Sequence, residues 1–281
     1  MDLFNLKGLL LAIIVFVPLE RLFAMHHDQP VFRPQWTNDL VYFLINGLLI
    51  RLGLGFVIVG AILLGSWLVP APVQHWVGAQ PFWIQLPALI ILSDIGFYSV
   101  HRLFHKVPFL WKFHAVHHSI EDLDWLAAHR VHPVDQILTK GVSLLPVFAL
   151  GFSTPAIAVY FVIYHWQSLL IHSNVGISFG PLRWLVASPQ FHHWHHANHQ
   201  EAFDKNFAGQ LSILDKIFGT LHMPGNSVPT RYGTDDPVPR GYIPQLLYPF
   251  GPASGALAAS PHPGEADTVQ GSNVGKIATG A

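Results

Sequence analysis

Apolar residues in this chain fall into long runs, with no strand-like alternation and no heptads. The first run, roughly Phe4 to Phe23, is broken only by Lys7, Glu20 and Arg21. It lacks the basic start and small-residue cleavage site of a signal peptide, so it reads as a retained transmembrane helix. The second, about Leu40 to Val69, exceeds the ~20 residues that cross a ~30 Å hydrocarbon layer. Arg51 inside it predicts a tilted helix, a snorkelling side chain or a paired one. A third run, about Phe82 to Val100, ends at His101 and Arg102. The fourth, Gly141 to Ile171, is too short for two complete crossings plus a turn. Its Gly151-Phe-Ser-Thr-Pro155 interruption combines a helix stop, an N-cap and a proline start. That predicts a hairpin that dips into the bilayer and returns; one long bent span is the alternative.

Between the runs, the charges set an orientation. The Pro70 to Pro81 link holds no Lys or Arg, whereas the segment after Val100 carries Arg102, Lys106, Lys112, Arg130 and Lys140. By the positive-inside rule that segment is cytoplasmic and the amino terminus is outside; Arg33 in the first link agrees. From Gly251 onward the chain is Gly, Ala, Ser and Pro without periodicity and reads as a disordered tail. The expected fold is all-α, with three to four membrane spans plus a hairpin and a cytoplasmic histidine-rich helical cap. Residues 1–91 form N-terminal membrane helices, 92–250 the chemical domain and 251–281 the tail.

Composition sharpens this. Of 281 residues 51% are apolar and only 11% charged, against roughly 25% charged in soluble domains, which fits an integral, multi-pass membrane protein. A net charge of −1 offers no basic face to nucleic acid. The absence of cysteine excludes disulfides, thiolate-bound zinc, iron–sulfur clusters and thiolate haem. Histidine is abundant: 19 against 15 Lys plus Arg, with 14 of them between His101 and His199. Metal chemistry here is imidazole chemistry.

The histidines are grouped. His101 and His105 are four apart at the end of the third run; His114, His117 and His118 follow; His192, His195 and His196 repeat the same His-x-x-His-His spacing. Residues three and four apart share a helix face. Eight imidazoles suffice for two metals with open positions, and His172 stands ready at the end of the hairpin; zinc, copper, iron and nickel all accept such ligands. One such pair beside a membrane helix is more often an interfacial polar pair. Three groups on one predicted face point to metal. Asp94, two turns before His101, is a candidate partner for a ligand ring, with Asp135 and Asp204 behind it. His132 either approaches the metals or caps a turn. His26, His27 and His75 read as interfacial, and His193 cannot share the face of His192.

These residues resemble the fatty acid hydroxylase superfamily, which includes sterol desaturases and sphingolipid hydroxylases. The resemblance runs from about Leu92 to Phe250 through Asp94 and HRLFH, LWKFHAVHHS, RVHP, IHSNVG, PLRWLVASPQFHHWHH and LSILDKIFGT. It implies that residues 92–250 are a di-iron domain, with two iron ions held by His101, His105, His114, His117, His118, His192, His195 and His196 and with His172 a further ligand; zinc could substitute. Asp124 stands where members often carry Asn. The implied activity is O2-dependent hydroxylation or desaturation of a fatty acyl, sterol or related lipid C–H bond. A separate electron-donor protein is expected, because His262-Pro-Gly-Glu is too small a fragment for a fused haem domain. The active site would face the cytoplasm, at the plasma membrane of a bacterium or the endoplasmic reticulum of a eukaryote. A membrane haem or metal-binding electron-transfer protein would need only one axial pair per haem. A zinc hydrolase would need a His-Glu-x-x-His context, which is missing. A transporter would place its ligands at mid-membrane.

Overall fold

The computed structural model describes residues 6–251. It is helical, with two isolated backbone bridges and no strand among the described residues. In order come α1 (Leu6–Leu22), α2 (Trp36–Leu68), α3 (Ala71–Gly78), α4 (Phe82–Lys106), α5 (Pro108–His118), α6 (Pro133–Ala149), α7 (Thr154–His172), α8 (Pro189–His195), α9 (Ile213–Phe218) and α10 (Tyr242–Leu247). The described residues through Pro249 form one compact unit; the tail proposed for 251–281 lies almost wholly outside the described residues.

Three helices, α2, α4 and α7, are long and apolar enough to cross a membrane. On α2 large apolar side chains such as Phe56 and Trp67 face outward, as a lipid-facing surface requires. Arg51 turns back along its own helix, donating from Nε to the Gly47 carbonyl at 2.9 Å. Near its start α2 contains one π turn, Tyr42–Asn46. The extra residue there coincides with Asn46 reaching across to the Val131 carbonyl at 2.6 Å. The described part of α1 is 17 residues and is not among the three.

The fourth run forms two helices, α6 and α7, joined by a turn at Gly151 with φ +79°, and both pack on α4. These helices are longer than the apolar pattern predicts. At 17 and 19 residues they extend about 25–29 Å at 1.5 Å per residue. The reason is that α6 begins at Pro133, and its polar Asp135, Thr139 and Ser143 are buried against neighbouring helices, where hydropathy does not register them. Helices α2 and α4 both pack on α6. They come close because two contact positions are glycine. A Cβ on Gly65 would lie 2.5 Å from Cα of Ala149, and one on Gly96 2.9 Å from Cα of Ser143. Leu89, Leu144, Val147, Ala156 and Tyr160 fill the space between α4, α6 and α7.

Candidate metal centre

All nine proposed ligands converge. His101, His105, His114, His118 and His195 form one group, His117, His172, His192 and His196 a second, and within each group one nitrogen per ring lies within 4.8 Å of the others. Helical geometry explains the division. On α5, His114 and His118 are four apart and serve the first group, while His117, about 100° away from His118, serves the second. On α8 the roles reverse: His192 and His196 serve the second group and His195 the first. The groups adjoin, with ring centroids of His118 and His196 4.6 Å apart and those of His195 and His192 5.3 Å apart.

The donor chemistry fits metal ions. His101 donates from Nδ1 to the Phe207 carbonyl at 2.7 Å and His114 from Nδ1 to Asp135 at 2.7 Å. Oxygens of this kind only accept, so a ring that carries its one proton on Nδ1 leaves its Nε2 bare, and yet the two Nε2 atoms stand 2.9 Å apart. His117 and His172 repeat this, with Nδ1 atoms on the carbonyls of Arg130 and Ser168 and Nε2 atoms 3.1 Å apart. Facing lone pairs repel unless a cation lies between them. Metal–nitrogen bonds of about 2.0–2.1 Å at right angles place neighbouring nitrogens about 2.9 Å apart, which is the spacing found. His105 Nε2, His192 Nδ1 and His196 Nδ1 are buried atoms with no hydrogen-bond partner. Burial, with neighbouring imidazoles adding to it, holds His117, His118, His192 and His196 well below their ordinary pKa, and burial pushes His195 down to about 3. Neutral rings are the form that ligates.

A short loop aims two rings of the first group. His195 donates from Nδ1 to the Lys205 carbonyl at 2.8 Å, two residues from the Phe207 carbonyl that takes His101. Asp204 and Asn206 both hold positive φ, 59° and 58°, to present these carbonyls. Asn206 is fully buried and bonds the Phe191 carbonyl and both backbone groups of His222. Asp215 accepts from the amides of Phe207 and Ala208, and burial raises its pKa. Neither Asn206 nor Asp215 is identified by sequence reasoning, although Asp215 lies inside the LSILDKIFGT motif.

Other sequence candidates land elsewhere. Asp94 touches no histidine nitrogen; its carboxylate accepts from the amides of Gly209, Gln210 and Leu211, clamping the same loop. Its two-turn offset from His101 holds, but the group it faces is backbone. His132 caps α6, accepting from the Val134 amide, and donates to the Leu246 carbonyl at 3.2 Å. Asp204 pairs with Lys106 at 2.5 Å and comes within 3.7 Å of His105 Nδ1. His26 does more than sit at an interface: its Nε2 and Nδ1 of His193 both contact the Tyr232 hydroxyl at 2.7 Å.

Beside the histidines lies a cavity of about 70 Å³, bounded on one side by rings of both groups and on the other by α6 and α7. Residues 86–220 match the fatty acid hydroxylase family model. The matched region belongs to the fatty acid hydroxylase superfamily. Among proteins similar to this chain, ornithine lipid hydroxylase OlsE of Rhizobium tropici is 30% identical over 177 residues, covering 63% of this chain and 54% of its own. Alkylglycerol monooxygenase of Homo sapiens is 36% identical over 145 residues, 52% of this chain and 32% of its own. The chain thus spans about half of the first relative's length and a third of the second's. No solved structure matches. Eight of the nine histidines are grouped on α4, α5 and α8 or at their ends within the matched region, and His172 closes α7 inside it too.

Proposed function

We propose that the chain is a membrane-bound oxidoreductase that uses O2 and two histidine-held iron ions to hydroxylate or desaturate a lipid C–H bond. Hydroxylation is favoured by the relatives' names, hydroxylase and monooxygenase. The observation that carries the reading is the pair of facing bare Nε2 contacts, His101 to His114 and His117 to His172. Iron, when bound, supplies the O2 activation that an unacidified C–H bond requires.

The chain's own residues position and exclude. Five rings facing the cavity (His101, His114, His117, His172 and His192) fix where a substrate carbon meets the centre. Carbonyls of Phe207, Lys205, Arg130 and Ser168 and the Asp135 carboxylate hold the Nδ1 protons, keeping Nε2 free. Burial of eight of the nine rings keeps water away from the site. The lipid enters from the α6–α7 side, electrons come from a separate donor protein, and the histidines face the cytoplasm.

Lipid profiling of cells with and without the protein, under oxygen, tests this. The expected product is a lipid heavier by one oxygen atom or lighter by two hydrogens. His117→Ala and His196→Ala should each abolish it while the protein still inserts into membranes; full activity in both would refute the reading.

A further inference from the structure

The α6 face of the cavity carries an ammonium group. Lys140 sits two turns into α6 and lines the same space as the histidines. Its side chain turns inward across α7, placing Nζ 5.6 Å from the centre of the Tyr164 ring. Lys140 forms no ion pair with a carboxylate among the described residues. The acid one turn earlier, Asp135, is already engaged by His114 and Thr139. An ammonium half-buried between α6 and the candidate membrane span α7 is costly unless something arriving there balances it. The neighbouring imidazoles cannot, since they are neutral or positive.

The cavity is small. With ~10–15 Å³ of such space enough for one water, about 70 Å³ holds a handful of non-hydrogen atoms. Only a few bonds therefore separate a group at Lys140 from a carbon at the histidines. We propose that Lys140, backed by Tyr164, is a positioning residue that holds an acceptor oxygen at the polar end of the lipid. Oxidation then falls on a carbon close to that oxygen and not on mid-chain. This rests on the lipid-oxygenase reading for its chemistry, but its test reads binding alone.

The test uses the full chain in nanodiscs of zwitterionic lipid, with palmitate and hexadecane as probes of equal chain length. Binding is followed by the shift in thermal unfolding midpoint and by direct titration. Palmitate should bind wild type and Lys140→Arg alike, and Lys140→Met roughly 10- to 100-fold more weakly, the range of one charge-assisted hydrogen bond. Hexadecane should bind all three equally. Metal content should be unchanged in Lys140→Met, which a general loss of structure would not allow; Lys140→Gln replaces it should the Met variant fail to accumulate. Undiminished palmitate binding by either neutral variant overturns the proposal. A protein that binds palmitate through Lys140 but yields no oxidised lipid would refute the oxygenase reading and leave standing the role of Lys140 in holding the lipid's polar end.

Discussion

Asn206 offers a quantitative test of how the loop before α9 supports the five-histidine group. Its side chain donates to the carbonyls of Phe191 at 2.8 Å and His222 at 2.7 Å and accepts from the His222 amide at 2.7 Å. All of this happens at φ 58° and 0% exposure. Replacement by Ala removes three bonds and leaves the buried Phe191 carbonyl and the half-buried His222 groups without compensation, at ~1–3 kcal/mol apiece. Ala also meets the left-handed conformation with a penalty of ~1–2 kcal/mol that Asn largely avoids. The sum is about 4 kcal/mol or more, a large share of the ~5–15 kcal/mol that separates folded from unfolded states. Asn206→Gly isolates the backbone part, because glycine has no left-handed penalty; it should recover ~1–2 kcal/mol relative to Ala. Thermal unfolding in detergent, followed by tryptophan fluorescence, gives the order wild type, Gly, Ala. Metal analysis of the folded fraction should show loss concentrated in one of two equivalents, since the carbonyls beside Asn206 hold His195 and His101, both in the same group. An Ala variant as stable as wild type, or one no worse than Gly, refutes the reasoning.

Further expectations come from other parts of the site. Asp135→Asn keeps the shape but weakens the acceptor on His114 Nδ1, so metal retention against a chelator should fall about 10–100-fold. Gly65→Val drives a side chain into the backbone of Ala149 and should cost ~1–3 kcal/mol or more, seen as a lower unfolding midpoint. Burial pushes His129 and His193 down to about 3, below the ~6.5 of an unfolded histidine. The fold therefore favours their neutral forms, so stability should be level above about pH 6.5 and decline as pH falls toward 3; stability that rises on acidification between these limits contradicts the burial.

The histidine grouping was legible because helical spacing is written locally: four-residue intervals on α4, α5 and α8 announce shared faces. Its division into two groups was not. His117 and His118 are neighbours on α5, and only the placement of α8, some 75 residues on, decides which ring meets which partner. Asp94 shows the same limit. Its position on the helix face was readable, but the amides of residues 209–211 that it meets are brought there by folding, 115 residues or more away in sequence. The lengths of α6 and α7 were underestimated because the inward face of α6 is polar, and hydropathy sees only apolar runs. Asn206 left no signal at all: a single buried asparagine between two clusters looks like any loop residue.

Asp124 brings the N-terminal region into the site. Arg33 bonds both Asp39 and Asp124 at 2.6 Å, and Arg130 Nε bonds Asp39, so two guanidinium groups and two carboxylates balance inside the protein. All four residues are buried. An asparagine at 124, as in the related pattern, would leave this group with one uncompensated positive charge, and an unpaired buried charge costs several kcal/mol. The acid at 124 and the base at 33 therefore belong together and would have to change together. Asp124 also caps the 3₁₀ turn of residues 125–129 through the Ala127 amide, and that turn leads to Arg130, whose carbonyl takes the Nδ1 proton of His117. The link between α1 and α2 is thus joined to the four-histidine group by an unbroken chain of buried bonds: Arg33 to Asp124, Asp124 to the turn, Arg130 to His117. Residues before α4 do more than anchor a downstream domain; by this route they help set the orientation of a ring in the centre itself.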